Sequence, residues 1–98
     1  MYPIKNQLED YIKTQSLFTV SDDSSINNDI NKLIKQAAII TFSEWKKGEI
    51  RGGTIPNVVE DKMKKDTCDT LKEILLEYNV EESSIENDFT KSFLELKK

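Results

Sequence analysis

The apolar positions of this chain recur at helical spacing, and the longest such run covers 26–47. Ile26, Ile30, Leu33, Ile34, Ala37, Ala38, Thr41 and Trp45 fall on one broad stripe, with Asn28, Lys32, Lys35, Lys46 and Lys47 largely off it. Ile39, Ile40 and Phe42 widen the stripe until the second half of the segment is apolar nearly all round. A helix of that kind is enclosed by other helices or by a partner.

Shorter runs flank it. Over 3–15, Pro3 suits a first helical turn, where its missing N–H is no loss, and Ile4, Leu8, Tyr11 and Ile12 make one stripe. Leu17, Phe18 and Val20 then form an apolar tail expected to fold back onto the bundle. A third helix is expected over 57–78. Its apolar line is thin at Val59, Met63 and Cys68 and strengthens at Leu71, Ile74, Leu75 and Tyr78. Near its start, Glu60 with Lys64 and Asp61 with Lys65 are set as i, i+4 ion pairs. A fourth helix over 84–97 is expected to bury Ile85, Phe89, Phe93 and Leu96. Between the second and third lies 48–56, read as a flexible connection. Gly48 stands where a left-handed residue usually ends a helix, Gly52-Gly53 ends the periodicity, and Ile55 precedes Pro56.

Two of the expected helix starts are near-copies. Asp22-Asp23-Ser24-Ser25-Ile26-Asn27-Asn28-Asp29-Ile30-Asn31-Lys32 aligns without gaps on Glu81-Glu82-Ser83-Ser84-Ile85-Glu86-Asn87-Asp88-Phe89-Thr90-Lys91. Two independent starts obeying the same rules would look like this, because Ser accepts from the free N–H groups of the first turn and acids favour the positive end of the helix dipole. Ser83 with Glu86 matches a full capping box, and Ser24 with Asn27 an imperfect one. A duplicated helical hairpin is the other reading. Either way the pattern predicts an all-α fold, a four-helix bundle that two helical hairpins could build, within a single domain over 1–98. The apolar excess at Ile39, Ile40 and Phe42 exceeds what three small helices comfortably cover, which leaves a homodimer open.

Length and composition agree with one domain: the chain has 98 residues with 37% hydrophobic and 33% charged content, and only 3 Gly and 2 Pro. The net charge of -4 comes from basic residues that alternate with acids almost everywhere. Nucleic-acid binding needs a basic face to displace counterions, so that partner is disfavoured and a protein with a basic surface is the better match. Cys68 is alone, so no intramolecular disulfide forms. The first residues carry charges too early for a signal peptide, and no run approaches the roughly 20 apolar residues that span a bilayer. These features lead us to expect a soluble cytoplasmic protein with no membrane partner.

Candidate chemistry narrows the picture by subtraction. With no histidine, a Ser-His-Asp or Cys-His arrangement and the usual zinc sites are impossible. Asp22, Asp23, Asn27, Asn28 and Asp29 lack the alternating order and central Gly of a calcium loop, and Gly52-Gly53 lacks the spacing of a phosphate cradle. Every Asp and Glu sits in a polar run or beside a Lys, a solvated setting rather than a desolvated acid–base pair. We therefore expect no enzyme, no metal and no cofactor. Trp45 stands out, as a lid on the core or as an anchor for a partner. With Ile50, Arg51 (the only Arg) and Ile55 it forms the candidate partner-binding patch.

Two short stretches resemble known families. Asp23-Ser24 followed by Ile26 at a helix start resembles the Asp-Ser-Leu of acyl carrier proteins, which implies a phosphopantetheine-carrying Ser, but Ser25 is extra and the preceding loop is short. Trp45-Lys46-Lys47-Gly48 resembles the turn of the WXG secreted family, with the spacing off by one and a Pro-containing segment after it. The chain also shares size, charge and helicity with colicin-type immunity proteins, without their Tyr-Tyr-Pro signature. The functional expectation is by class: a small acidic non-catalytic protein-binding module of the inhibitor, immunity, antitoxin or phage anti-defence type. Its alternative is a small dimeric regulator contacting nucleic acid through Lys32, Lys35, Lys46, Lys47 and Arg51, provided these form one continuous face.

Overall fold

The computed structural model describes the backbone over 4–19, 22–52 and 57–97, and side chains over 4–19, 22–47 and 60–97. Among these residues the chain forms four α-helices and no strand: α1 Ile4–Thr14, α2 Asp23–Gly52, α3 Asn57–Leu75 and α4 Glu82–Lys97, with a 3-10 turn at Leu76–Tyr78 after α3. The all-α bundle is what the periodicity predicts.

The first link shows how local chemistry stops a helix without glycine. Ser16 takes a left-handed φ of 53°. Its N–H donates to the Lys13 carbonyl at 3.2 Å, and the Leu17 N–H donates to the Ile12 carbonyl at 2.9 Å, the paired bonds of a Schellman ending. Phe18 is also left-handed, at φ 63°, which is costly for a bulky residue. Two contacts hold it there. Its N–H donates to Asp29 Oδ2 at 2.9 Å, and its ring stacks on Tyr78 at 4.4 Å. Leu17 is buried beside it, so the tail folds back as expected at these two residues, whereas Val20 lies outside the described residues.

Helix starts and ends differ from the expected ones in instructive ways. Asp22, not Ser24, caps α2: its Oδ1 accepts from the Ser24 N–H at 2.9 Å, and its carbonyl accepts from the Ile26 N–H. An aspartate there contributes both the cap bond and a charge at the positive end of the dipole. The start of α4 is shifted likewise to Glu82, with the Glu81 carbonyl accepting from the Ile85 N–H. Ser83 and Glu86 therefore lie inside the helix, and Glu86 pairs across to Lys72 of α3. Gly48 does not stop α2, which continues to Gly52. One interior glycine costs only about 1 kcal/mol, and the flanking Lys46, Lys47, Glu49 and Arg51 favour helix. The expected connection at 48–56 is thus helical through 52, and 53–56 lie outside the described residues.

With 30 residues at about 1.5 Å each, α2 runs the whole 45 Å length of the molecule and packs against α1, α3 and α4. Its direction matches α4, since Phe42 meets Phe93 while Trp45 meets Lys97 farther along both helices. Lys5 of α1 pairs with Glu73 of α3, and Lys97 of α4 pairs with Glu60 at the opposite end of α3 from Lys72–Glu86. The molecule is therefore two helical hairpins, α1–α2 and α3–α4, laid side by side in the same sense. The α1 helix has only 11 residues, about 16 Å, so it covers the first half of α2 and leaves the second half to α3 and α4.

One apolar core fills the space between them, from Ile4 and Leu8 through Ile30, Leu33, Ile34, Ala37, Ala38 and Ile40 to Leu71, Leu75, Ile85, Phe89 and Phe93. Of the three residues that suggested an uncovered surface, Ile40 is buried and Phe42 packs on the core; Ile39 alone is exposed, at 45%. Leu96, expected inside, is 37% exposed. A polar pair is buried at the α2–α3 contact. Thr67 Oγ1 lies 2.9 Å from the Met63 carbonyl, to which it donates, and 2.9 Å from Thr41 Oγ1, so the two hydroxyls are paired within the core.

Candidate protein-binding surface

Beyond the reach of α1, the second half of α2 changes character. The described buried positions of α2 end at Thr41; Phe42, Glu44 and Trp45 are half-buried, and Lys46 and Lys47 are exposed. Aromatic rings take over from aliphatic packing. Phe42 and Phe93 meet edge-on at 6.0 Å, Trp45 meets Phe93 edge-on at 6.4 Å and lies 5.8 Å from Phe42, and Phe93 stacks on Phe89 at 6.2 Å. Each such pair contributes roughly 0.5–1.5 kcal/mol beyond its buried area.

Ammonium groups cover this shelf. Lys46 Nζ lies 5.1 Å from the Trp45 ring, Lys97 Nζ lies 5.0 Å from it, and Lys64 Nζ lies 5.4 Å from Phe93. Glu60, only 8% exposed, holds Lys97 in place with a 2.6 Å bond. Sequence spacing paired Glu60 with Lys64; the structure instead pairs Lys64 with Asp61 at 3.9 Å and gives Glu60 to α4. No local rule would have found that bond, because its ends are 37 residues apart. The Trp45 Nε1 is buried with no hydrogen-bond partner among the described residues, which costs about 1–3 kcal/mol.

Trp45 is thus seated on the core while its ring stays partly open to solvent. The rest of the candidate patch is not seen to join it: Ile50 and Arg51 belong to the last turn of α2 with side chains outside the described residues, and Ile55 lies outside them altogether. The lysines of α2 do not make an uninterrupted basic face. Glu44 pairs with Lys47 at 3.3 Å, Lys46 lies over aromatic rings, and Lys35 shares a groove with Glu95.

Cys68 is buried on α3, and burial pushes its thiol up to about 11, so it is a protonated thiol at neutral pH. Hydrogen bonding to Glu86 raises Lys72, and hydrogen bonding to Glu73 raises Lys5; both stay charged. Among the described residues no group of three or more His, Cys, Asp or Glu could hold a metal ion, and no helix is long and apolar enough to cross a membrane. Comparison with protein-family models, with curated proteins and with solved structures finds no match to this chain.

Proposed function

We propose that this chain is a non-catalytic protein-binding module acting by stoichiometric binding, of the inhibitor, immunity, antitoxin or phage anti-defence type. The observation that carries this reading is the aromatic shelf at the open half of α2. Trp45 is half-buried on Phe42 and Phe93 and partly open to solvent, and tryptophan is among the residues enriched at binding hot spots. The net charge of -4 favours a partner with a basic surface. At the shelf Lys97 is paired with Glu60 and Lys64 with Asp61, so these two cations are balanced by acids of the same chain.

The alternative, a regulator gripping nucleic acid through Lys32, Lys35, Lys46, Lys47 and Arg51, has less support, because acids or rings engage Lys47 and Lys46 and Glu95 lies beside Lys35. Affinity capture from the organism of origin separates the two readings, using the wild type and Trp45→Ala after circular dichroism has shown both folded. One protein recovered in equimolar amount with the wild type and lost from the variant is the expected result. Recovery of nucleic acid, or a protein held equally by both, overturns it.

A further inference from the structure

The parallel pair α2 and α4 encloses a surface groove of about 280 Å³. Ile39 and Leu96 border it and are both exposed, with Lys35, Ser92 and Glu95 around them. One turn nearer the helix starts, the groove continues past Asn31, Asp88 and Lys91. Charge is segregated across this seam. The α2 side carries Lys35, and the α4 side carries Asp88 and Glu95 with Lys91 between them. None of these four has an ion-pair partner among the described residues, although Lys5, Lys47, Lys64, Lys72 and Lys97 all do.

We propose that this face binds a second copy of the chain, with each α2 laid on the α4 of the other copy and the two-fold axis running along the bundle. An interface of this symmetry must be self-complementary. Because α2 and α4 run in the same direction, that axis brings Ile39 against Leu96 and Lys35 against Glu95 of the second copy, each contact made twice. An axis across the helices would instead set α2 on α2, lysine facing lysine. The charge pattern thus selects one of the two pairings. Lys91 is the residue that opposes it, since it would face a lysine of the second copy. The 32–47 stretch of α2 is roughly 22 Å long, and with α4 beside it each copy contributes on the order of 450 Å². That is about half of a standard stable interface, the size of a weak, transient contact, so the dimer is read at high protein concentration.

Sedimentation velocity up to about 500 µM at low salt tests this directly. The wild type is expected to dimerise with rising concentration, and added salt to weaken the dimer. Lys35→Glu or Glu95→Lys alone should raise the dissociation constant roughly tenfold or more, and the double variant Lys35→Glu/Glu95→Lys should recover it, because the exchanged charges still meet. Lys91→Glu should tighten the dimer, whereas in the α2-on-α2 pairing it would set added acids against acids. A monomer throughout the range, a dimer indifferent to these charges, or a double variant that fails to recover overturns the proposal. Thermal melts of each variant at low micromolar concentration verify that the fold is intact.

Discussion

The two hairpins begin their second helices with nearly the same eleven residues, yet the surroundings give equivalent residues different work. Both starts are alike in register: Asp22 and Glu81 precede the first turns of α2 and α4, and Ile26 with Ile85, Ile30 with Phe89 and Ile34 with Phe93 all turn toward the core. Past that, the hairpins part. Asp29 accepts the Phe18 N–H and braces a strained turn, while its counterpart Asp88 is exposed on the α2–α4 groove. Continuing the same alignment backwards, Leu17 is 4% exposed and Leu76 is 76% exposed. A helical start is a local property that can be copied; the use of each side chain depends on what lies opposite.

Paired substitutions can break or sharpen this contrast. The largest difference is expected for Leu17→Ala against Leu76→Ala in urea unfolding. The first leaves a core cavity and should cost about 2–4 kcal/mol, whereas the second should stay within about 0.5 kcal/mol. Equal costs would mean that the first link is not part of the core. Next comes Asp29→Ala against Asp88→Ala, measured at low micromolar concentration. Removing Asp29 leaves the Phe18 N–H unpaired and a left-handed phenylalanine unbraced, for a loss of about 1–2 kcal/mol. Asp88→Ala should be close to neutral for the fold.

The smallest effect sets α3 against α1. Extended to the first helices, the same alignment places Cys68, which is buried, on Glu9, which is exposed. The Cys68 thiol ionises near 11 in the folded chain against 9.0 ordinarily, because burial disfavours the thiolate. The folded state therefore holds the proton more tightly, and the associated stability is complete below pH 9 and is lost as pH rises through about 11. At pH 10 the wild type should have lost about 1 kcal/mol more than Cys68→Ala has, relative to pH 8. Identical pH profiles for the two chains would show that the thiol is not desolvated by the fold.

Much of the architecture was legible in the sequence. The stripes at Ile4–Leu8, Ile30–Ala38, Leu71–Leu75 and Ile85–Phe93 became the core because each is a single helical face long enough to be recognised. Boundaries were less legible. Whether Asp22 or Ser24 caps α2, and whether Gly48 ends it, are choices separated by about 1 kcal/mol in local terms, within the reach of tertiary contacts. The candidate site was legible only at Trp45. Its companions Phe93, Lys97 and Glu60 come from two other helices, and no periodicity links them to it.

Helix type, number and inward faces were therefore determined by the sequence alone, since propensity and periodicity act within a few turns. Tertiary structure decided which helices run side by side, that α1 is too short to cover the far half of α2, that an aromatic shelf opens beyond it, and that a groove lies along the α2–α4 seam. Those outcomes depend on distances between residues remote along the chain, which only packing brings together.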